Sequence, residues 1–457
     1  MAGEGLPKPV IDSFRKYFDQ LLRGRRGTIP ESEITPLRDR DLVDLETLPP
    51  AAGNEVELLK ATVVLRLNGG LGTSMGLKGP KGILKVKQDR SFLDIVAEQV
   101  KDLNRRGGVI TPLVLMNSFS TDRETTAALR RISDPQTLRV ESFLQHKFPK
   151  ILRDTLAPAQ WPADPTLEWN PPGHGELYVA LQTSGMLDRL LAGGSRYAFV
   201  SNIDNLGALP DMRIPAYLAR TGTPFLMEVA TRTEMDRKGG HLARSQEGRL
   251  VLRESSQTPD TDKEMFGDIT THRYFNTNSI WIDLKQLSEQ LASRGGSLPL
   301  PMICNPKTLD PRDPDSPPVF QLESAMGAAI GLFEGAGAIR VPRTRFFPVK
   351  DCGDLLLTRS DFVRLEAGGR LSPAPRRRTD NPLVELDKKF YRTIDQLESR
   401  FPHGGPSLAE CESLRVEGDV TFGANVVIRG RTRIMAARGR ATRVPDGTEI
   451  EGEYTPV

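Results

Sequence analysis

Between Val63 and Lys87 the chain reads VVLRLNGGLGTSMGLKGPKGILKVK. Glycines fall at 69, 70, 72, 76 and 79, directly after an aliphatic run of Val63, Val64, Leu65 and Leu67. A loop so poor in Cβ atoms, leaving a buried strand, lets backbone N–H groups approach an anion closely. Lys78 and Lys81 bring positive charge to the same place. The chemistry that suits this spacing is the cradling of phosphates. Two better-known cradles do not fit: Met75 stands where the Rossmann fingerprint wants its third glycine, and Lys81 lies between Pro80 and Gly82, unlike a Walker A lysine. Plain turn chemistry is the alternative for the loop taken alone.

Other segments carry polar groups of matching use. Gln145, in FLQHKFP, offers a donor and an acceptor together, which suits the edge of a pyrimidine base. Pro171-Pro172-Gly173-His174-Gly175-Glu176 is a stiff, then permissive turn in which Gly173 can meet the base and His174 the sugar. Asp204 ends the strand-like run Tyr197–Ile203, and a carboxylate at such a strand end points into the ligand crevice of an α/β sheet. One carboxylate there is what Mg²⁺ needs, because that ion keeps waters and takes few protein ligands. Asn278, in FNTNS, can bond sugar hydroxyls, and Lys350 ends the stiff run RFFPVK. Each has a bland counterpart: a surface amide, an exposed histidine, a capping aspartate, a solvated lysine.

Taken together the motifs are specific. LNGGLGTSMG with GPK, PLVLMNSFST, PPGHG, FVSNIDNLGA, KGG, FNTN, NPKTLD, QLESAMGAAI, RFFPVKDCGDLLL and GDVTFGANV run in one order from about 65 to 430. In this the chain resembles the eukaryotic-type UTP–glucose-1-phosphate uridylyltransferases, or UDP-glucose pyrophosphorylases. The resemblance implies UTP contacts at Leu67, Asn68, Gly69, Gly70, Lys81, Gln145 and Gly173, with Asp204 and Lys350 also on the nucleotide. It implies sugar-phosphate contacts at His174, Asn205 and Asn278, Mg²⁺ on Asp204, and catalytic charges at Lys81 and Lys350. The implied fold is a Rossmann-like nucleotidyltransferase core of the GT-A-like kind, α/β with a mainly parallel mixed sheet, followed by a C-terminal left-handed parallel β-helix. The implied reaction is reversible: UTP and glucose-1-phosphate give UDP-glucose and pyrophosphate by in-line attack on the α-phosphorus, without a covalent enzyme intermediate. Three departures stand out: Asn278-Ser279 where the family has two asparagines, a looser match over 251–266, and a short end, EIEGEYTPV.

The elements that must position these groups follow from periodicity. Ile11–Leu22 places Phe14, Phe18, Leu21 and Leu22 on one helical face, and 25–60 reads as a connector. Strand 61–67, helix Phe92–Arg106 and strand Leu113–Met116 form a strand–helix–strand unit, which implies a right-handed crossover and a parallel sheet. Leu177–Leu191 reads as one amphipathic helix, Ser324–Phe333 as another, and Tyr197–Ile203, Phe225–Ala230, Ser279–Asp283 and Ile83–Val86 as strands. From Val416 a six-residue rhythm (Val416, Phe422, Ile428, Ile434; Val420, Val426, Thr432) marks a parallel β-helix, with a small antiparallel cap as the alternative. The expected division is an N-terminal helical segment over 1–60, a catalytic domain over 61–365, and a linker with β-helix over 366–457.

Composition narrows the class. With 62 basic and 59 acidic side chains in 457 residues, no charge excess points to nucleic acid. No apolar run approaches a membrane span, and the N-terminus lacks a signal-peptide core. Three scattered cysteines and five histidines argue against a disulfide framework or zinc site and fit a reducing cytosol, so the expected location is cytoplasmic. Cys352, two residues past Lys350, suggests oxidant sensitivity, and the terminal coils suggest self-association. Two rivals share the fold or the loop: a UDP-N-acetylhexosamine pyrophosphorylase, whose loop usually carries Gln and Arg where this chain has Leu71 and Ser74, and a non-catalytic nucleotide-binding scaffold.

Overall fold

The computed structural model describes residues 1–51, 53–72, 75–77, 79–379, 382–437 and 440–456. Lys78 and Ser74 therefore lie outside the described residues. Eight strands form the central sheet: β1 (Val43–Asp44), β2 (Thr62–Asn68), β3 (Leu113–Asn117), β4 (Val140–Leu144), β5 (Tyr197–Asn202), β6 (Phe225–Thr231), β7 (Tyr274–Asp283) and β8 (Gly337–Arg340). Their order is β1-β8-β6-β7-β5-β2-β3-β4, and a short hairpin at 241–253 joins the rim. Among these eight strands the ladders are parallel except those of β7 with β5 and β6, while the rim hairpin pairs antiparallel, so the sheet is mixed and its centre mostly parallel.

Strand β2 shows why the sheet is a core. Val63, Leu65 and Leu67 face one apolar cluster and Val64 the other, and all seven residues of the strand are buried. Burial on both faces is what helices packed on each side of a parallel sheet require. One face is covered by α1 (Phe92–Gly107), closed by the left-handed Gly108. The other is covered by α2 (Leu177–Thr183), α3 (Met186–Ala192) and α4 (Leu284–Ser293). Because β2 leads to β3 on one side while β5 lies on the other, the order reverses between β2 and β5. Open α/β sheets bind ligands at the carboxyl edge of such a point.

Several elements differ from the sequence expectation. The expected helix over Leu177–Leu191 is two helices, broken at Gly185, whose φ of 69° ends the first. Ser324–Phe333 contains a 3₁₀ helix, Met326–Leu332. Ile83–Val86 is split between a 3₁₀ turn at Lys81–Ile83 and a short strand, Lys85–Lys87. Strand β7 starts at Tyr274, five residues before the expected Ser279, and runs against its neighbours. The 25–60 connector contributes β1 and a second short strand, Ile34–Pro36, to the sheet.

Beyond residue 382 every ladder is parallel. β9 (Leu383–Leu386), β10 (Ser407–Glu417), β12 (Val427–Met435) and β14 (Glu449–Tyr454) form one sheet, and β11 (Val420–Phe422) pairs with β13 (Thr442–Val444). This excludes the antiparallel cap. Every residue of the six-residue rhythm is buried, and Val416 stacks on Ile434, Phe422 on Val444, and Ile428 on Ile450. The apolar cluster under α1 continues without a break through α5 (Cys352–Arg359) into these strands. No helix among the described residues is long and apolar enough to cross a membrane.

Candidate active site

The glycine loop leaves β2 and returns on itself. Leu71 bridges to Pro80, the Lys81 N–H donates to the Gly70 carbonyl at 3.3 Å, and buried Met75 plugs the turn. This aims Lys81 across the reversal point, where its Nζ lies 2.5 Å from Asp204 Oδ2 at the end of β5. Both side chains are largely buried. The other carboxylate oxygen, Oδ1, is buried with no hydrogen-bond partner. A buried carboxylate oxygen without a donor costs stability unless something positive meets it. That orphan fits Mg²⁺, which takes one or two carboxylates and otherwise waters and substrate phosphates. Among the described residues no cluster of three or more His, Cys, Asp or Glu could hold a metal ion by itself, so a cation here would need ligand oxygens as well.

Asn205 next door is spent on backbone. Its Oδ1 accepts from Phe347 N (2.8 Å) and Gly207 N (3.3 Å), its Nδ2 donates to the Arg345 carbonyl (3.2 Å), and its main chain bridges to Pro348. It therefore pins the segment that carries Lys350 beside Asp204, and its amide is not free for a sugar. Lys350 itself is exposed, its N–H donating to Asp354 Oδ2 at 2.7 Å and its Nζ 5.5 Å from the Phe346 ring centre. Burial pushes the Asp354 carboxyl up to about 6.

A second pair of walls is stitched from the other side. A Cβ on Gly69 would lie 2.0 Å from Gln145 Nε2, so the glycine admits the amide. Gln145 N–H is fixed by the Asn117 carbonyl at 2.8 Å. Its neighbour His146 meets buried Glu176 through Nδ1 (2.5 Å) and its backbone N–H (3.1 Å), tying this strand end to the PPGHG turn. Gly173 has φ 80° and room for no Cβ, which would fall 2.5 Å from the Ser324 carbonyl. His174 Nδ1 accepts from Met326 N–H at 3.0 Å, which leaves the proton on Nε2. Burial pulls this imidazole down to about 4, so it is a neutral donor at physiological pH.

Leu67 and Asn68 face inward. Leu67 packs in the core with its carbonyl taken by Ile203 N–H, and Asn68 Nδ2 donates to Asn117 Oδ1 and Thr125 Oγ1. These two hold the loop's root. Asn278 sits at φ 55° in a bulge of β7, exchanging hydrogen bonds with Asn276 at 2.9 Å each way. Ser279, where the resemblance leads to a second asparagine, is fully buried with its hydroxyl unpartnered, so that departure lies behind the site wall.

Comparison with known proteins gives the family. Residues 11–429 match the family model for UTP–glucose-1-phosphate uridylyltransferase. The chain belongs to that family. Uridylyltransferases of Saccharomyces cerevisiae and Dictyostelium discoideum are 39% and 37% identical to it, over 96% and 97% of this chain and 87% of each relative. Crystal structures of UDP-glucose phosphorylase from Trypanosoma brucei and of a point mutant of UDP-glucose pyrophosphorylase from Leishmania major, in complex with UDP-glucose, superpose with TM-scores of 0.93 and 0.92. Both are 42% identical, covering 99% and 100% of this uridylyltransferase-family chain and 97% of theirs.

Two groups in the site are not singled out by the sequence. Glu254 is raised above the usual carboxylate range by burial, with the Lys350 charge opposing and Asn276 bonded to it. A Cβ on Gly240 would lie 2.4 Å from its carboxylate. Glu254 falls in the loosely matching stretch 251–266, where no motif draws attention to it. Asn276 stands in the quoted FNTN, and its signal was the same as that of Asn278.

Proposed function

We propose that this chain catalyses reversible transfer of a uridylyl group from UTP to glucose-1-phosphate, releasing pyrophosphate. The observation that carries the reading is the Lys81–Asp204 contact at the β2–β5 reversal, with an open carboxylate oxygen beside it. The glycine-loop amides and Lys81 would bind the phosphates, Gln145 the uracil edge, and Lys350 the charge on the leaving group. The Nε2–H of neutral His174 would donate to the sugar phosphate, and Asn278 and Glu254, held in place by Asn276, would take sugar hydroxyls. A phosphate monoester dianion already attacks well, so alignment and charge neutralisation suffice and no side chain need act as nucleophile. Mg²⁺ held by Asp204 would supply further neutralisation of the phosphate oxygens.

The parallel strands after residue 382 read best as a left-handed β-helix, attached to a catalytic domain over 61–365 that an N-terminal segment over 1–60 completes. We also infer a cytoplasmic enzyme able to self-associate through the last coils. The test is a pyrophosphate-release assay. Glucose-1-phosphate should support Mg²⁺-dependent turnover and N-acetylglucosamine-1-phosphate far less; the reverse ranking would favour the hexosamine enzyme. In the same assay Lys350→Ala should lose on the order of a hundredfold in kcat with an unchanged melting curve. Near-normal turnover would remove Lys350 from the mechanism, and UTP binding without any turnover would favour a scaffold.

A further inference from the structure

Beside the 203–208 loop that carries Asp204 lie two arginines and one carboxylate. Arg345 is bound bidentately to fully buried Glu228 of β6, through Nε to Oε2 (2.9 Å) and Nη2 to Oε1 (2.5 Å), and Trp281 Nε1 donates to the same carboxylate at 3.0 Å. That pair neutralises itself. Arg66 of β2 is fully buried too, but its partners are neutral: Nη1 donates to Ser201 Oγ, Nη2 to the Ala208 carbonyl at 2.5 Å, and Nε has no acceptor. Its guanidinium lies 5.6 Å from the Phe199 ring centre, with Arg345 at 5.9 Å from that ring. The charged groups whose fields reach it are Arg345 and Glu228, while β5 and the 203–208 loop offer a hydroxyl, a ring and a carbonyl. Counting charges, Lys81 is matched by Asp204 and Arg345 by Glu228, which leaves Arg66 as a surplus buried cation three residues before the first glycine of the loop. Burying a charge with no counter-ion is expensive, so its presence here calls for a physical role.

We propose that Arg66 is a fixed buried positive charge that raises affinity for the polyanionic nucleotide without touching it, through the low-dielectric layer under the site. This rests on the uridylyltransferase reading, since it takes UTP as the ligand. It also assigns Arg66 a positioning part, tying the strand of the glycine loop to the loop that carries Asp204. Burial lowers the guanidinium to about 9, which keeps it charged at neutral pH.

The test uses the whole chain and measures UTP affinity by calorimetry at low ionic strength, from pH 6 to 8, where the wild-type guanidinium stays charged, for wild type, Arg66→Lys and Arg66→Met. A unit charge removed from this layer should weaken UTP binding about tenfold, so Arg66→Met should bind about tenfold more weakly at every pH. A buried lysine loses its proton far more readily than arginine. The Kd ratio of Arg66→Lys to wild type should therefore grow from near one at the acid end to about tenfold at the alkaline end. A tie without an electrostatic part would leave that ratio flat. The proposal is overturned if Arg66→Lys tracks wild type at every pH while Arg66→Met binds equally tightly or does not fold. If wild type fails to bind UTP, the functional reading falls first, and separately.

Discussion

Gly69 shows how much of this site rests on a missing side chain. An alanine there would put its Cβ 2.0 Å from Gln145 Nε2, and the flexible end of Gln145 would give way. We expect Gly69→Ala to raise the KM for UTP several-fold and leave the melting temperature nearly unchanged, matching Gln145→Ala. A measured KM within twofold of wild type for either variant would take Gln145 off the base. At this scale the chain was readable where chemistry sits in a local run. Lys81, Gln145, His174 and Asp204 each follow a strand or open a turn, and the ordered run of motifs around them, rather than any one side chain, draws attention to them. Glu254 and Arg66 gave no such signal. Each acquires its meaning from residues far away in sequence, Lys350 and Asn276 for one, Ser201, Ala208 and Arg345 for the other, and one strand's alternation says nothing about those neighbours.

At the scale of elements, the tip of the glycine loop leans on the C-terminal region. Gly76 has φ 74°, and a Cβ there would fall 2.8 Å from both Cβ and Cγ2 of Thr393, the N-cap of the helix Ile394–Arg400. Alanine in a left-handed conformation costs about 1–2 kcal/mol before any clash. Gly76→Ala should thus lower the melting temperature by several degrees and weaken UTP binding, and Thr393→Ser, lacking the methyl group, should restore part of the binding. If binding is untouched while stability falls, the loop's tip is mere packing. Periodicity found most elements because burial on one or two faces writes itself into the sequence. It failed where continuity hid a local break: Ser184-Gly185 interrupts an unbroken apolar stripe, and β7 begins at Tyr274 because its rim end is polar yet buried against Glu254 and the 241–253 hairpin.

Across the whole molecule, all three cysteines are free and buried. Burial raises the Cys304 thiol, and pushes those of Cys352 and Cys411 up to about 12. Since the thiolate is the reactive form, mild peroxide should leave the rate unchanged. A thiol reagent at pH 8 should find almost nothing in the native protein and three groups after denaturation. Fast labelling of one thiol with loss of activity would restore the oxidant-sensitive reading of Cys352, which its burial now opposes. The order in which strands sit has another consequence, in time. β2 to β5 are consecutive in the chain and adjacent in the sheet, so a growing polypeptide can set Lys81 against Asp204 once residue 205 has left the ribosome. The opposite flank, with the segment that brings Lys350, must wait for roughly 145 further residues, some 7 to 30 seconds at ordinary rates of synthesis. For that interval, on the reading proposed above, the nascent protein would carry half of its phosphate grip, facing the cell's nucleotide pool with a partly formed pocket.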